Sequence, residues 1–237
     1  MKTTTRNFKP NPRLRAWLRS SSGEDADAGH EARADLSGGW DGWLLRRMSA
    51  GKIVMVGGVL VDRDLLTQRF GCVAERCAPR AGRGPWRSCC ADAEVALDGS
   101  EQRRLRRIAK ADLPEGWCED GHLTRPGGRC VCSTIDGDGR IRCRLHRIAR
   151  RLGVDQSDLQ PLSCRLFPLI VVDLGQGRTA LTLVSRTTFR LVGAHPPRRY
   201  PCLSDPHLPL LTESLRGDLD WAFGKGFAQA LARSAHG

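Results

Sequence analysis

The sequence predicts a mixed α+β fold, and three observations carry that prediction. Short β-branched runs bounded by glycine, such as Ile53-Val54-Met55-Val56 and Val59-Leu60-Val61, read as strands. Apolar residues at helical spacing, such as Leu105, Ile108, Ala109 and Leu113, read as helices. All ten cysteines lie between Cys72 and Cys202, which is more than a plain globular core needs. The expectation is a single metal-stapled domain with short strands, a hairpin and several helices, preceded by a poorly ordered N-terminal tail.

Residues 1–49 form that tail, disordered or loosely docked. The stretch from Ser20 to Asp27 is small and polar and buries too little to offset the entropy of ordering. Around Trp17 the chain can make a turn of helix, and Trp40, Trp43, Leu44 and Leu45 can dock on the domain. Residues 50–237 form the cysteine-cluster metal-binding domain. After the first strands, Asp62 can cap a short helix carrying Leu65, Leu66 and Phe70, and Gly71 stops it before Cys72. Residues 78–88 hold two prolines and two glycines and read as an excursion loop. Gly82-Arg83-Gly84 within it lacks the flanking strand and helix of a phosphate loop.

Residues 100–113 read as a helix with Ser100 as N-cap, ended by Pro114. Gly127 to Ile135 reads as a strand, Asp136-Gly137-Asp138-Gly139 as a tight turn, and Arg140 to Cys143 as the returning strand of a hairpin. A calcium loop is excluded there because position 147 is Arg147, not the required glutamate. A helix from Arg144 to Leu152 would bury Leu145, Ile148, Ala149 and Leu152 and stop at Gly153. Leu169–Leu174 and Thr179–Val184 read as two strands, apolar enough for a sheet centre. Leu208–Phe223 and Phe227–Leu231 read as helices broken at Gly224-Lys225-Gly226.

Formal charge is +12, from 38 Lys+Arg against 26 Asp+Glu, and most of the cations are arginines dispersed along the chain. That balance fits a solvated surface, or a protein or nucleic-acid partner, but no RNA-binding motif or aromatic–basic interleaving accompanies it. No apolar signal region follows Met1, and Ile53–Val61 is far short of the ~20 apolar residues a bilayer span needs. The reading is a cytoplasmic protein with no membrane contact. Disulfides are rare in that compartment, so the thiols argue for metal.

Cys72, Cys77, Cys89 and Cys90 fall within nineteen residues. Soft thiolates at short spacing suit zinc or an iron–sulfur cluster. Adjacent side chains of an extended strand point to opposite faces, so Cys89 and Cys90 need a turn, or serve two metals, or one of them faces the core. Cys130 and Cys132 would share one face of a strand, to chelate together or with one packing as a small apolar residue. Cys143 and His146 stand three apart at a helix start, within reach of a common ion. Cys164 sits between Pro161 and Pro168 in a stiff segment. Cys118 and Cys202 read as ordinary packing residues. A nucleophilic cysteine needs an activating base, and sequence places none of His122, His146, His195 or His207 beside a thiol.

Taken in order, Phe70-Gly71-Cys72, Cys77, Cys89-Cys90, Cys130, Cys143-Arg144-Leu145-His146 and Gln160-Pro161-Leu162-Ser163-Cys164-Arg165-Leu166-Phe167-Pro168 resemble the cysteine-cluster proteins of the YkgJ type, and most nearly the DUF3109 branch. The resemblance spans about residues 53–230 and implies a zinc- or iron-chelating domain. Carried over position by position, it implies Cys72, Cys77, Cys89, Cys90, Cys130, Cys143 and Cys164 as ligands, with His146 as a further candidate. The chain departs from the pattern in the eleven residues between Cys77 and Cys89, where relatives have only a few. At Cys132 relatives more often carry an apolar residue. The broader group is similar in its motif to flagellin lysine methylases, which adds an iron–sulfur enzyme as an alternative function. A zinc-stabilised nucleic-acid-binding module is a second alternative, resting on the charge alone.

Overall fold

The computed structural model describes residues 7–21, 39–72, 89–92, 94–109, 111–137, 141–194 and 196–235. They form the expected mixed α+β class, with helices and several short strands in small sheets. The chain divides into two compact units, one drawn from residues 1–71, 168–192 and 205–237, the other from 72–167 and 193–204.

The first unit opens with α1 (Pro12–Ser21), α2 (Trp40–Ser49), the hairpin of β1 (Ile53–Val56) and β2 (Val59–Asp62), and α3 (Arg63–Thr67). The second unit contains α4 (Cys89–Asp92), α5 (Gly99–Ala109), β3 (Cys118–Glu119), β4 (His122–Leu123), β5 (Ser133–Ile135) and β6 (Ile141–Cys143). It continues through α6 (Arg144–Leu152), α7 (Gln156–Leu159), α8 (Leu162–Leu166) and α9 (Pro201–Ser204). Strands β7 (Leu169–Asp173) and β8 (Thr179–Leu183) with α10 (Leu211–Ser214), α11 (Arg216–Phe223) and α12 (Phe227–Ser234) complete the first unit.

The sheet of the first unit has the order β1-β2-β8-β7, with β2 and β8 parallel and the outer pairs antiparallel. Gly57 and Gly58 turn β1 into β2 with φ of 53° and 90°, a geometry that strongly favours glycine. Every residue of β8 is buried, as a sheet centre requires. Its neighbour β7 differs from expectation. It lies at the sheet edge, with Asp173 exposed and Ile170 and Val171 only half covered. Its apolar run therefore does not report burial on both faces.

Both tryptophan-bearing stretches of the N-terminal segment are helices of this unit. Leu14 and Leu18 of α1 and Trp43 of α2 are buried, and the ring of Phe8 meets that of Phe227 edge-on at 5.2 Å. Asp62, fully buried, ties several elements together. It pairs with Arg47 of α2, accepts from Thr182 Oγ1 of β8 at 2.9 Å, and caps α3 through the Asp64 N–H at 3.2 Å. A buried carboxylate persists only where such partners offset its lost hydration.

The second unit packs α5 and α6 around a core that includes Leu105, Leu145 and Ile148 together with Cys130 and Cys132. Helix α5 is capped by Asp98, not Ser100. Asp98 Oδ1 accepts from the Glu101 N–H at 2.7 Å and the Ser100 hydroxyl at 2.6 Å, while Glu101 Oε2 accepts from the Asp98 N–H at 3.2 Å. The carboxylate two residues earlier reaches the orphan N–H groups in a reciprocal cap, so the helix begins at Gly99. It ends at Ala109, short of the expected Leu113.

The expected strand over 127–135 is mostly turn. Gly127 and Gly128 take φ of 62° and 78° in a 3-10 turn, which breaks extension, and only Ser133–Ile135 pairs, with Ile141–Cys143. Helix α6 forms as expected and Gly153 stops it at φ 65°. Leu152, however, is 43% exposed at its last residue, so the buried stripe is Leu145, Ile148 and Ala149.

Candidate metal centre

Four short segments of the second unit carry six of its thiols: α4 with Cys89 and Cys90, the turn before β5 with Cys130 and Cys132, the end of β6 with Cys143, and α8 with Cys164. Backbone bonds hold these segments against one another. The Cys130 N–H donates to the Cys90 carbonyl at 2.8 Å, and the Arg144 N–H donates to the Cys132 carbonyl at 2.7 Å. Ser133 stands opposite Cys143 in the hairpin, and its N–H and hydroxyl both close the turn onto the Cys130 carbonyl. Helix α8 is held from its start, where the Leu162 N–H donates to Glu101 Oε1 at 2.7 Å.

The thiols perturb one another. Cys90 donates to Cys89, which holds the Cys89 thiol below its ordinary value and pushes Cys90 well up, with burial adding to the rise. Cys132 donates to Cys130, whose thiol falls to about 7 against the effect of burial, while Cys132 rises. Burial pushes Cys143 up to about 11; the Leu145 and His146 N–H groups face it and counter the rise without making a full cap bond. Cys164 rises through burial first, then through charge on Cys89, Cys143, Cys130 and Glu101. Negative charge on any of these groups thus opposes ionisation of the others, and a cation among them would relieve that opposition.

The present side-chain positions make thiol pairs, not a closed tetrad. Among the described residues, no three His, Cys, Asp or Glu side chains stand as a metal-holding group, and no disulfide joins the nine described cysteines. The donor chemistry suits a thiophilic metal, but the described side-chain positions do not form a site for one. Among the buried donor atoms of the second unit, Ser163 Oγ, Arg144 Nε and both Nε and Nη2 of Arg104 have no hydrogen-bond partner. Ser163 and Arg144 adjoin Cys164 and Cys143 in sequence, and Arg104 lies 3.8 Å from Glu101.

The other candidates are placed as follows. Cys72 is exposed, and Cys77 lies outside the described residues. The His146 ring meets Gln156 of α7, with 2.6 Å between the two Nε2 atoms, and burial together with Arg150 lowers its pKa. Cys118, with a thiol raised by burial, takes its other influences from Arg106, Gly121 and Asp120 rather than from a cysteine. Cys202 is buried in α9. Cys132, read from sequence as a candidate for packing, is buried in the hydrophobic core, and its thiol also donates to Cys130. Its signal was the Cys-x-Cys spacing, which works here through a turn and not through a shared strand face.

Among the described residues no helix is long and apolar enough to cross a membrane. Compared with known proteins, the chain matches no family model, no curated protein and no solved structure.

Proposed function

We propose that this is a cytoplasmic metal-binding protein whose second unit holds zinc or an iron–sulfur cluster through clustered cysteines. The observation that supports the reading is that Cys90, Cys130, Cys132, Cys143 and Cys164 lie in or against one core cluster, with the Cys130 N–H bonded to the Cys90 carbonyl and the Arg144 N–H to the Cys132 carbonyl. The cysteine-cluster pattern adds Cys72 and Cys77 to the proposed set, with His146 as the one nitrogen candidate. Zinc would supply a closed structural link and a cluster would supply electron transfer. The candidate thiols outnumber the four that a single tetrahedral centre uses, which leaves room for a second metal or a polynuclear site.

An anaerobic purification, with an absorption spectrum and elemental analysis on the same sample, tests this. Iron with sulfide and a brown colour identifies a cluster, after which turnover of S-adenosylmethionine separates the lysine-methylase-like alternative. Stoichiometric zinc in a colourless sample identifies a structural site, after which salt-sensitive binding to RNA or DNA separates the nucleic-acid alternative. A folded sample that contains neither metal, and takes up neither when reconstituted, overturns the proposal.

A further inference from the structure

Glu101 is the one fully buried glutamate of the described residues, and its position is unusual for a helix cap. A capping-box glutamate ordinarily satisfies its own N-cap and stays at the surface. Here one oxygen does that, accepting from the Asp98 N–H, while the other reaches 61 residues along the chain to the Leu162 N–H at 2.7 Å. Leu162 is the first residue of α8, and Cys164 is its third. That helix is only five residues long, and its N-cap Pro161 has no side chain able to accept its leading N–H groups. The reach of Glu101 therefore supplies what the local sequence does not. Cys164 packs against the same core cluster as Cys90 and Cys143. Arg104 stands 3.8 Å from the oxygen that holds Leu162.

We infer that Glu101 is a positioning residue of the metal centre: by clamping the start of α8 to α5 it fixes Cys164 toward the other thiols. It does not ligate metal in this role, and it acts through Cys164. The inference rests on the proposed metal-binding reading and deepens it by assigning Cys164 a dedicated support.

Two conservative variants of the full chain separate reach from charge. Glu101→Gln keeps the length and one oxygen for the Leu162 N–H but removes the charge. Glu101→Asp keeps the charge but is one methylene short. Each is stripped of metal, loaded with cobalt(II), and read by the cobalt–thiolate charge-transfer band, whose intensity follows the number of bound thiolates. Glu101→Gln is expected to keep the full cobalt band while losing the cap bond from the Asp98 N–H, which its amide nitrogen cannot accept. Glu101→Asp is expected to lose about one thiolate of the four that a tetrahedral centre takes. It should equal Cys164→Ser, with no further loss when the two are combined. A wild-type band in Glu101→Asp overturns the inference, and so does an equal loss in both variants. A Glu101→Asp chain that loses its helical circular dichroism also overturns it, because residue 101 then serves the fold alone. Failure of the metal-binding reading looks different: the unsubstituted protein itself gives no charge-transfer band.

Discussion

The two units solve the same problem with different materials. The first closes its core with hydrocarbon and aromatic rings, including Leu14, Trp43, Leu181, Phe223 and Phe227, around a four-stranded sheet. Among the described residues the second has two two-stranded sheets, with strands of two or three residues, and gives core places to Cys130 and Cys132. A cysteine removes far less apolar surface from water than leucine or phenylalanine, at roughly 25 cal/mol per Å². Two-stranded ribbons are marginal by themselves. The second unit also buries Leu105, Leu123, Leu145, Ile148 and Leu159, and its core differs in setting Cys130 and Cys132 among them.

The largest expected effect breaks the comparison directly. Chelation should leave the first unit folded and loosen the second, since structural metal contributes on the order of 10 kcal/mol to domains that depend on it. Hydrogen exchange reads this segment by segment. Amides of β5, β6 and α6 should lose protection while those of β2 and β8 keep theirs. Equal loss in both units, or none in either, would remove the distinction.

A smaller effect tests the first unit. Arg47→Ala strands the Asp62 carboxylate, which is 0% exposed, and should cost about 3–5 kcal/mol in chemical denaturation. Replacing both partners, as in Arg47→Met with Asp62→Leu, should recover most of the loss on the pair's account. The recovery stays incomplete because Asp62 also caps α3 and accepts from Thr182. Protection in the second unit should not change. A cost below about 1 kcal/mol, typical of surface pairs, would show that the pair is no more than a surface contact.

Much of this fold was legible in the residues because local rules decide it. The glycine-bounded strands β1 and β2, the Asp62 cap, α6 with its Gly153 stop and the strands β7 and β8 follow from turn chemistry and periodicity. What escaped depends on distant partners. Nothing near β7 in sequence says that it is an edge strand. The cap moved from Ser100 to Asp98 because Glu101 answers it, and that glutamate is buried by Leu162, far along the chain. At the candidate centre, cysteine identity and spacing marked the thiols, but the arrangement did not follow from strand geometry. Cys89 and Cys90 meet on a helical turn, and Cys130 and Cys132 meet on a bend that Gly127 and Gly128 precede. Turns are where period-two reasoning stops applying.

The smallest expected effect sharpens the comparison through pH. With metal absent, Cys143 has a folded value of about 11 against a reference of 9.0, so folding favours its neutral form. Its contribution is complete below the unfolded value and disappears as pH rises toward 11, about 3 kcal/mol over that window. The pair of Cys130 and Cys132 gives up one proton near 7 and keeps the other late, so it adds stability as pH rises from 7 to 9 and loses it above. Both contributions fall on the alkaline side, and the metal-free second unit should weaken above about pH 9. Bound metal reverses the sign, because thiolates must be reprotonated before they let go, and the loaded unit should weaken in acid instead. Thermal midpoints read by exchange in the second unit, with and without metal, should therefore slope in opposite directions. Parallel slopes would mean that the thiols which set the alkaline limit are not the ones that hold the metal.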